Sequence, residues 1–494
     1  MNLFIQLDDK STAGPIYRQI YEAIQRAILR GELQSGKMLP PTRVLAKQLG
    51  VARTTVINAY DQLLAEGYLE GQKGAGTFVA AQLPEEFLQT SSWERQDGQA
   101  KSPSRKIHLS EYGKNLMQRR DAIMRNHGPT FLLPFQHGVS ALDLFPFDVW
   151  AKIAQRWQKK PPASILGYGH PVGFQPLREA VAAHLTAARG VHCSAEQIII
   201  TNGTQQALDL IGRIFLAPGD DVWLEDPCYF GAHDIFCAMG ARIIPVPIDG
   251  EGFDLHEAQK RSSKARLVYL TPSHQYPLGV TMSLARRLKL LEWARTTDSF
   301  IIEDDYNSEY RYAGRPLAAL QGLDRDGRVI YLGTFSKTVF PALRLGCLLV
   351  PPDLIDVFAA ARALTGLHSP TLDQAILAEF IGAGHFARHI RRMRGLYLER
   401  QQCLVEEIRK HLNGVLDVTP ASAGMHLIGW LPDGVSDQDI ASRAQEKNLK
   451  ITPLSAYCIR QKLRGGLFLG YTTFDEKQIK QAVKKLTQVF QENS

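Results

Sequence analysis

A lysine flanked by hydroxyls, with an arginine a short way on, carries the first chemistry in this chain: Thr334-Phe335-Ser336-Lys337, then Leu343-Arg344-Leu345-Gly346. A lysine amine forms an imine with an aldehyde, and hydroxyls beside a guanidinium hold a dianionic phosphate. Aldehyde and phosphate together on one small molecule describe pyridoxal phosphate. Alone, a serine–lysine pair is more often a solvated face. Four segments upstream give it weight, because they supply the other parts of a site in order.

Thr201-Asn202-Gly203-Thr204-Gln205-Gln206 follows an apolar strand and opens a helix read from Ala207. The free amides of such a helix start suit a phosphate. Glu225-Asp226-Pro227-Cys228-Tyr229 sets an aromatic after a strand and a proline turn, where it can stack on a ring. Thr271-Pro272-Ser273-His274-Gln275-Tyr276-Pro277-Leu278-Gly279 is a polar loop directly after another strand. Ile301-Ile302-Glu303-Asp304-Asp305-Tyr306 ends a strand in acid, acid, aromatic. A carboxylate there keeps a pyridine nitrogen protonated and the ring electron-withdrawing. Each segment taken singly has a plainer reading: a bare turn, a core tyrosine, a cluster of exposed acids.

The elements that must position these residues are legible as periods. From about Phe131 onward, helical runs alternate with short apolar strands at 197–200, 221–224, 242–246, 267–270, 300–302 and 329–332. Strands separated by helices predict an α/β fold with a largely parallel sheet, whose C-terminal edges carry the ligand. The motifs fall at those edges.

The first 80 residues read differently. Pro15-Ile16-Tyr17 opens an amphipathic helix through Ile20, Ile24 and Ile28 that stops at Gly31. A second helix starts at Thr42, taken as its N-cap, with Leu45 and Leu49 on its apolar face. Gly50-Val51 makes the turn, and Arg53-Thr54-Thr55 begins a third helix through Val56, Tyr60 and Leu63. This is helix-turn-helix spacing. Two strand-like pieces around Gln72-Lys73-Gly74-Ala75-Gly76 predict a winged hairpin whose glycine-rich tip can approach a phosphate backbone. Residues 81–107 are rich in Ser, Gln, Glu, Lys and Pro and predict a flexible tether; 108–130 is transitional. Downstream, Arg388, Arg391, Arg392 and Arg394 form a basic helical stretch, read as a solvated face ahead of a second DNA-facing patch.

Composition is compatible with this plan and decides little. The chain has 494 residues, 45% of them hydrophobic, a formal charge of +7 and a pI near 9.0, enough for two or three domains. Residues 1–80 hold nine Lys and Arg against seven Asp and Glu, so affinity for an anionic partner must come from placed residues. Six cysteines lie scattered without C-x-x-C spacing, which predicts neither a disulfide framework nor a metal site. No apolar run reaches about 18 residues and no charged start precedes an apolar stretch, so a cytoplasmic protein without a membrane partner is expected.

The run 39–79 resembles the GntR family of bacterial transcription regulators, through Leu-Pro before an arginine, Gly-Val-x-Arg-Thr-Thr, Glu-Gly-Tyr-Leu and Gly-x-Gly-Thr-Phe-Val. The resemblance implies that Arg43, Arg53, Thr54 and Thr55 contact double-stranded operator DNA, with Lys73 and Gly74 reaching in from the wing. Residues 131–494 resemble the fold-type I aminotransferases. That resemblance implies that Lys337 forms the internal aldimine, Asp304 binds the pyridine nitrogen, Tyr306 the ring hydroxyl, and Tyr229 stacks on the ring. It gives the phosphate to Thr204, Gln205, Thr334, Ser336 and Arg344. Tyr168, in Gly167-Tyr168-Gly169-His170-Pro171, would reach the phosphate of a second subunit, implying a homodimer with shared sites. Gln275 sits near the family's usual asparagine in a loop one residue longer, and Asp304 and Tyr306 stand one residue closer together than in most of the enzymes.

A GntR head (1–80), a linker (81–107) and an aminotransferase-like domain (108–494) make up the plan of the MocR branch of GntR regulators. The implied function is a transcription regulator that senses an amine, an amino acid or pyridoxal phosphate itself at Lys337. The alternative is a working aminotransferase with an accessory head. Against it, aminotransferases hold the substrate carboxylate with an arginine near the C-terminus, in a strand ending in an aromatic. Gly466-Leu467-Phe468-Leu469-Gly470-Tyr471 has none, and Arg464 is the nearest. No residue is therefore given a catalytic role.

Overall fold

The computed structural model describes residue 5 and residues 14–72, 75–83, 108–127, 132–314 and 317–491. The chain divides into two compact units, Met1–Lys106 and Ile107–Ser494.

In the small unit, α1 (Ile16–Leu29) starts behind Pro15, whose fixed φ suits a helix entry, and buries Ile20, Ile24 and Ile28. Ile16 continues the spacing but faces outward, 41% exposed. α2 (Thr42–Leu49) corrects the reading of Thr42 as a cap: Pro41 holds the cap position and no side chain caps the helix. The Pro40-Pro41 pair keeps the chain extended up to that point, so Thr42 is already helical. Gly50 ends α2 at φ 66°, a left-handed turn that favours glycine. α3 (Arg53–Ala65) buries Val56, Ala59, Tyr60 and Leu63, and the Tyr60 hydroxyl donates to the Pro40 carbonyl at 2.8 Å. β1 (Leu69–Gln72) and β2 (Gly76–Val79) form the antiparallel hairpin of the wing, in register from Leu69↔Val79 to Gln72↔Gly76. Lys73 and Gly74 lie outside the described residues, as does the expected tether from 84 to 107.

The large unit opens with α4 (Glu111–His127). Its main sheet holds eight strands in the order β3-β10-β9-β8-β7-β4-β5-β6. They are β3 (Ile198–Thr201), β4 (Asp221–Asp226), β5 (Arg242–Asp249), β6 (Gly252–Phe253), β7 (Leu267–Leu270), β8 (Phe300–Asp305), β9 (Val329–Thr334) and β10 (Gly346–Leu349). β5, β4, β7, β8 and β9 pair in parallel, and β10 runs antiparallel between β9 and β3. β3 therefore points the same way as the parallel set, and the C-terminal ends of these strands share one edge. Their burial on both faces explains why they read as continuous apolar runs rather than alternating ones. Between strands run α5 (Thr204–Phe215) and α6 (Phe230–Ala238). A second sheet, β11-β12-β14-β13, is built from β11 (Asp417–Val418), β12 (His426–Trp430), β13 (Thr452–Pro453) and β14 (Gly466–Gly470), all antiparallel.

The two units carry separate hydrophobic cores. Ile24→Ala, at a site with no solvent exposure, should cost the small unit about 2–5 kcal/mol. The unfolding transition of the large unit should stay where it is. Denaturant unfolding followed by near- and far-ultraviolet dichroism separates the two; equal shifts of both would show one shared core.

Candidate cofactor site

The common strand edge frames a cavity of about 240 Å³. Each motif reaches it from the end of a different strand. β3 leads through Gly203 into α5, presenting Thr204 and Gln205; β4 leads to Tyr229; β8 supplies Asp304 and Tyr306; β9 supplies Thr334, Ser336 and Lys337. Arg344 arrives just before β10, held at φ 51°, where a residue with a side chain is strained. α5 starts at Thr204, three residues before the expected Ala207, because Gly203 (φ 86°) caps it. A side chain at 203 would lie 3.1 Å from the Arg344 guanidinium, so glycine is what lets arginine and helix start converge.

Lys337 is half-buried, and its amine donates to the Gly138 carbonyl at 2.7 Å. Burial lowers it to about 8, against the opposing pull of Asp304 and with the help of Arg344. Burial likewise raises Asp304 to about 7. One Asp304 oxygen accepts the Tyr269 hydroxyl at 2.7 Å, while Oδ1 is buried without a partner.

Why Asp304 is the free acid follows from its neighbours. Glu303 accepts the backbone N–H groups of Leu320 and Gln321, both at 2.8 Å. Asp305 accepts Arg189 Nε at 2.6 Å and the Tyr331 hydroxyl at 2.7 Å. The period of two along β8 turns these two acids to structural partners and leaves Asp304 facing the cavity. They are not the exposed cluster a plain reading of the sequence allows.

Tyr229 is steadied by Gln205, whose amide donates to its hydroxyl at 2.9 Å. Gly231 makes room: a Cβ there would sit 2.4 Å from the Tyr229 ring. Tyr306 meets His274 at 2.9 Å from Nδ1, and His274 Nε2 lies 3.1 Å from the Ala423 carbonyl. The carbonyl requires the hydrogen on Nε2, so Nδ1 accepts the phenol proton and the Tyr306 oxygen stays an acceptor. Burial holds His274 neutral, at about 4.

Gln275 does not join the lining. It is buried in its loop, donating to Glu225, Pro227 O (2.9 Å) and Tyr276 O (2.7 Å) and accepting from Leu278 N–H at 3.0 Å. The extra residue in the loop turns it inward, where it shapes the turn. Tyr168 stands 91% exposed, away from the cavity of its own chain, edge-on to His368 at 6.5 Å. Sequence reasoning missed Tyr269, His137, Tyr276, Met425 and His426, all in the lining.

The residues present fit pyridoxal phosphate. A half-buried amine, an orphaned buried carboxylate oxygen, a tyrosine able to stack, and a helix start beside two hydroxyls and a guanidinium match the donors such a molecule needs. Among the described residues no cluster of His, Cys, Asp and Glu has the arrangement of a metal site.

In the small unit, Arg43, Arg53 and Thr54 are exposed and Thr55 is half-buried, at the N-terminal ends of α2 and α3. Arg53 Nε meets the Thr42 hydroxyl at 3.4 Å, so the two helix starts touch. The basic stretch on the long helix His385–His411 is largely engaged with its own chain. Arg392 donates to the Leu144 carbonyl, Arg394 to that of Glu309 at 2.8 Å, and Arg388 to that of Ala383 at 3.2 Å.

Residues 137–486 match the aminotransferase class I and II family, and residues 16–79 match the bacterial regulatory proteins of the gntR family. The probable rhizopine catabolism regulatory protein MocR of Rhizobium meliloti is 40% identical over 98% of this chain and 95% of its own length. The pyridoxine biosynthesis transcriptional regulator PdxR of Corynebacterium glutamicum is 32% identical over 95% of this chain and 94% of its own. A Pyrococcus horikoshii kynurenine aminotransferase solved with PMP superposes with a TM-score of 0.68 at 30% identity, covering 78% of this chain and 96% of the enzyme. The α-aminoadipate aminotransferase LysN of Thermus thermophilus, solved with N-(5'-phosphopyridoxyl)-L-leucine, gives 0.70 at 29%, covering 78% and 97%.

The two depressed or raised groups set a pH dependence with one sign. Lys337 must be neutral to condense with an aldehyde, which its lowered value allows from about pH 8, and Asp304 is ionised above about 7. Capture of pyridoxal phosphate by apo-protein should therefore quicken by nearly tenfold per pH unit between about pH 6 and pH 8, then level. Stopped-flow absorbance checks it. Lys337→Ala should show no borohydride-fixed cofactor at any pH, and a flat profile in the native chain would refute the assignment of the Lys337 amine.

Proposed function

The chain belongs to the MocR branch of the GntR-type transcription regulators, pyridoxal-phosphate-binding proteins with a DNA-binding head, and on that footing we propose that its large unit senses a small amine or amino acid and passes the response to the head. The observation that carries this is the pairing, in one cavity, of the half-buried Lys337 amine with the half-satisfied carboxylate of Asp304. When bound, the cofactor would supply an aldehyde carbon able to hold an amine, and Lys337 would be the residue that holds it in the resting protein. Asp304 would face the pyridine nitrogen, Tyr229 the ring, and Thr204, Gln205, Thr334, Ser336 and Arg344 the phosphate.

Sensing requires that the two states differ beyond the cavity. Tyr229 is the N-cap residue of α6, so a shift of its backbone is a shift of that helix's start. α4, which follows the expected tether, clasps α6. Arg119 donates to Asp234 at 2.6 Å, and Asn115 to the Ala238 carbonyl at 3.3 Å. A change of posture at Tyr229 would reach α4, the helix that follows the expected tether, through these two side chains. The exposed Tyr168, with Leu166 (73%) and Leu364 (89%) also bare, supports a homodimer in which Tyr168 of each subunit serves the other's phosphate.

Arg53→Ala should cost about 1–3 kcal/mol on operator DNA and remove discrimination against scrambled DNA, because it deletes a base contact. Lys73→Ala, read as a phosphate contact, should weaken both DNAs alike and lower the salt slope by about one. Fluorescence anisotropy at several salt concentrations reads both. Arg119→Ala should keep cofactor binding and DNA affinity but blunt the change in DNA affinity on adding effector; an undiminished change would show that α4 is not on the path.

A further inference from the structure

The cofactor and its holders leave one part of the cavity lining unassigned: His137, Tyr276, Met425 and His426. Behind them Phe468 of β14 fills the space, with no solvent exposure. Its ring centroid lies 4.2 Å from that of His137, 4.1 Å from His426, 5.5 Å from Tyr457 and 5.6 Å from Tyr276. Phe468 belongs to the stretch in which the resemblance to aminotransferases leads one to look for the carboxylate-binding arginine. Arg464, the nearest in sequence, is spent elsewhere, over the Trp430 ring at 5.2 Å and beside Asp417 at 3.6 Å.

The charge inventory of the cavity points the same way. Its cationic side chains are Lys337 and Arg344. Arg344 lies against the start of α5, donating to the Asn202 carbonyl at 3.0 Å. The two histidines are no substitute. Burial lowers His137 to about 3 and takes His426 well below its usual value, and His426 Nε2 is 3.0 Å from the Pro277 carbonyl. His137 Nδ1 is buried without a hydrogen-bond partner, so this wall still asks for one neutral polar contact. A carboxylate brought here meets aromatic edges, neutral imidazoles and Asp304, and would be desolvated without a counter-charge.

We propose that the effector is a primary amine with no carboxylate on its amine-bearing carbon, its compact neutral body packed on the wall of His137, Tyr276 and His426 and offering a polar atom to His137. This rests on the reading that the cavity senses amines, and narrows it: with Phe468 behind the lining in place of a cation, an amine whose own carbon bears a carboxylate finds no counter-charge. Selection comes from the missing counter-charge rather than from size, since the same body with one carboxylate added should be refused.

The test uses full-length protein loaded with pyridoxal phosphate and matched pairs differing by a carboxylate, each body carrying one hydroxyl: 3-aminocyclohexanol with 1-amino-3-hydroxycyclohexanecarboxylate, and 3-hydroxybenzylamine with 3-hydroxyphenylglycine. Calorimetry and the cofactor's absorption band are both read. The amine of each pair should bind about tenfold or more tightly than its acid. Phe468→Arg should narrow or invert that ratio, its folding checked by the melting temperature. Acids binding as well as or better than their amines in the native chain would overturn the inference and leave amine sensing standing. If no member of either pair binds or moves the band, the sensing reading itself fails, and this inference with it.

Discussion

Three consecutive carboxylates at the end of β8 are withdrawn from water, and the large unit is arranged around the cost of that burial. A buried ion costs several kcal/mol unless charge and hydrogen bonds answer it. Glu303 is answered by two backbone amides and Asp305 by Arg189 and Tyr331. Arg189 in turn reaches the Leu317 carbonyl and the Ser273 hydroxyl, tying the loop after β7 to the end of β8. With both flanking acids fixed, Asp304 can be left with one oxygen bound and the other open. Burial raises it, and a cationic ring nitrogen would relieve the penalty. A ligand that satisfies a native group in this way stabilises the fold by mass action. The open carboxylate is thus a deficit held in place by its neighbours.

Strand direction turns that local arrangement into a site. Since β3, β4, β7, β8 and β9 share a direction, each strand end delivers one kind of chemistry to one edge: helix amides, an aromatic, a polar loop, an acid and an amine. β10 is the exception, and its reversal is useful. An antiparallel strand there begins where its neighbours end, so Arg344, just before it, arrives in the cavity beside the start of α5. The left-handed backbone at Arg344 and the glycine at 203 are the local costs of that meeting.

Strand ends were legible because apolar runs stop abruptly at polar motifs, and those motifs name Lys337, Asp304, Tyr229 and Arg344 in a single sequence. What stayed hidden depended on pairing across distance. Tyr269 looks like one more apolar residue of β7 until the register sets it opposite Ile302, two positions before Asp304 and on the same face of the sheet. His137 and His426 lie far apart in the sequence of the large unit and come together around Phe468. Gln275 was misjudged for the converse reason: it has the right type near the right place, but its extra loop residue turns the side chain toward Glu225 and the backbone. Thr42 failed as a cap because two prolines decide the backbone before the hydroxyl can.

A regulator gains from keeping an enzyme's cavity while giving up the clamp that makes turnover efficient. Transamination depends on holding the substrate's carboxylate so that the bond to be broken is oriented. Sensing asks only that one occupant favour one arrangement of the protein over another, by a differential affinity of a few kcal/mol. A cavity that seizes an amine yet fails to orient it for chemistry keeps its occupant unchanged for as long as that occupant is abundant. The aromatic wall around Phe468 meets this requirement, since it contributes contact area and no fixed charge. The clasp of α4 on α6, one helix away from Tyr229, provides an element whose position can follow what lies on that ring. On the proposed sensing role, an aromatic where an arginine is looked for and the clasp of α4 on α6 would serve one end: an occupant held in place and read through a helix.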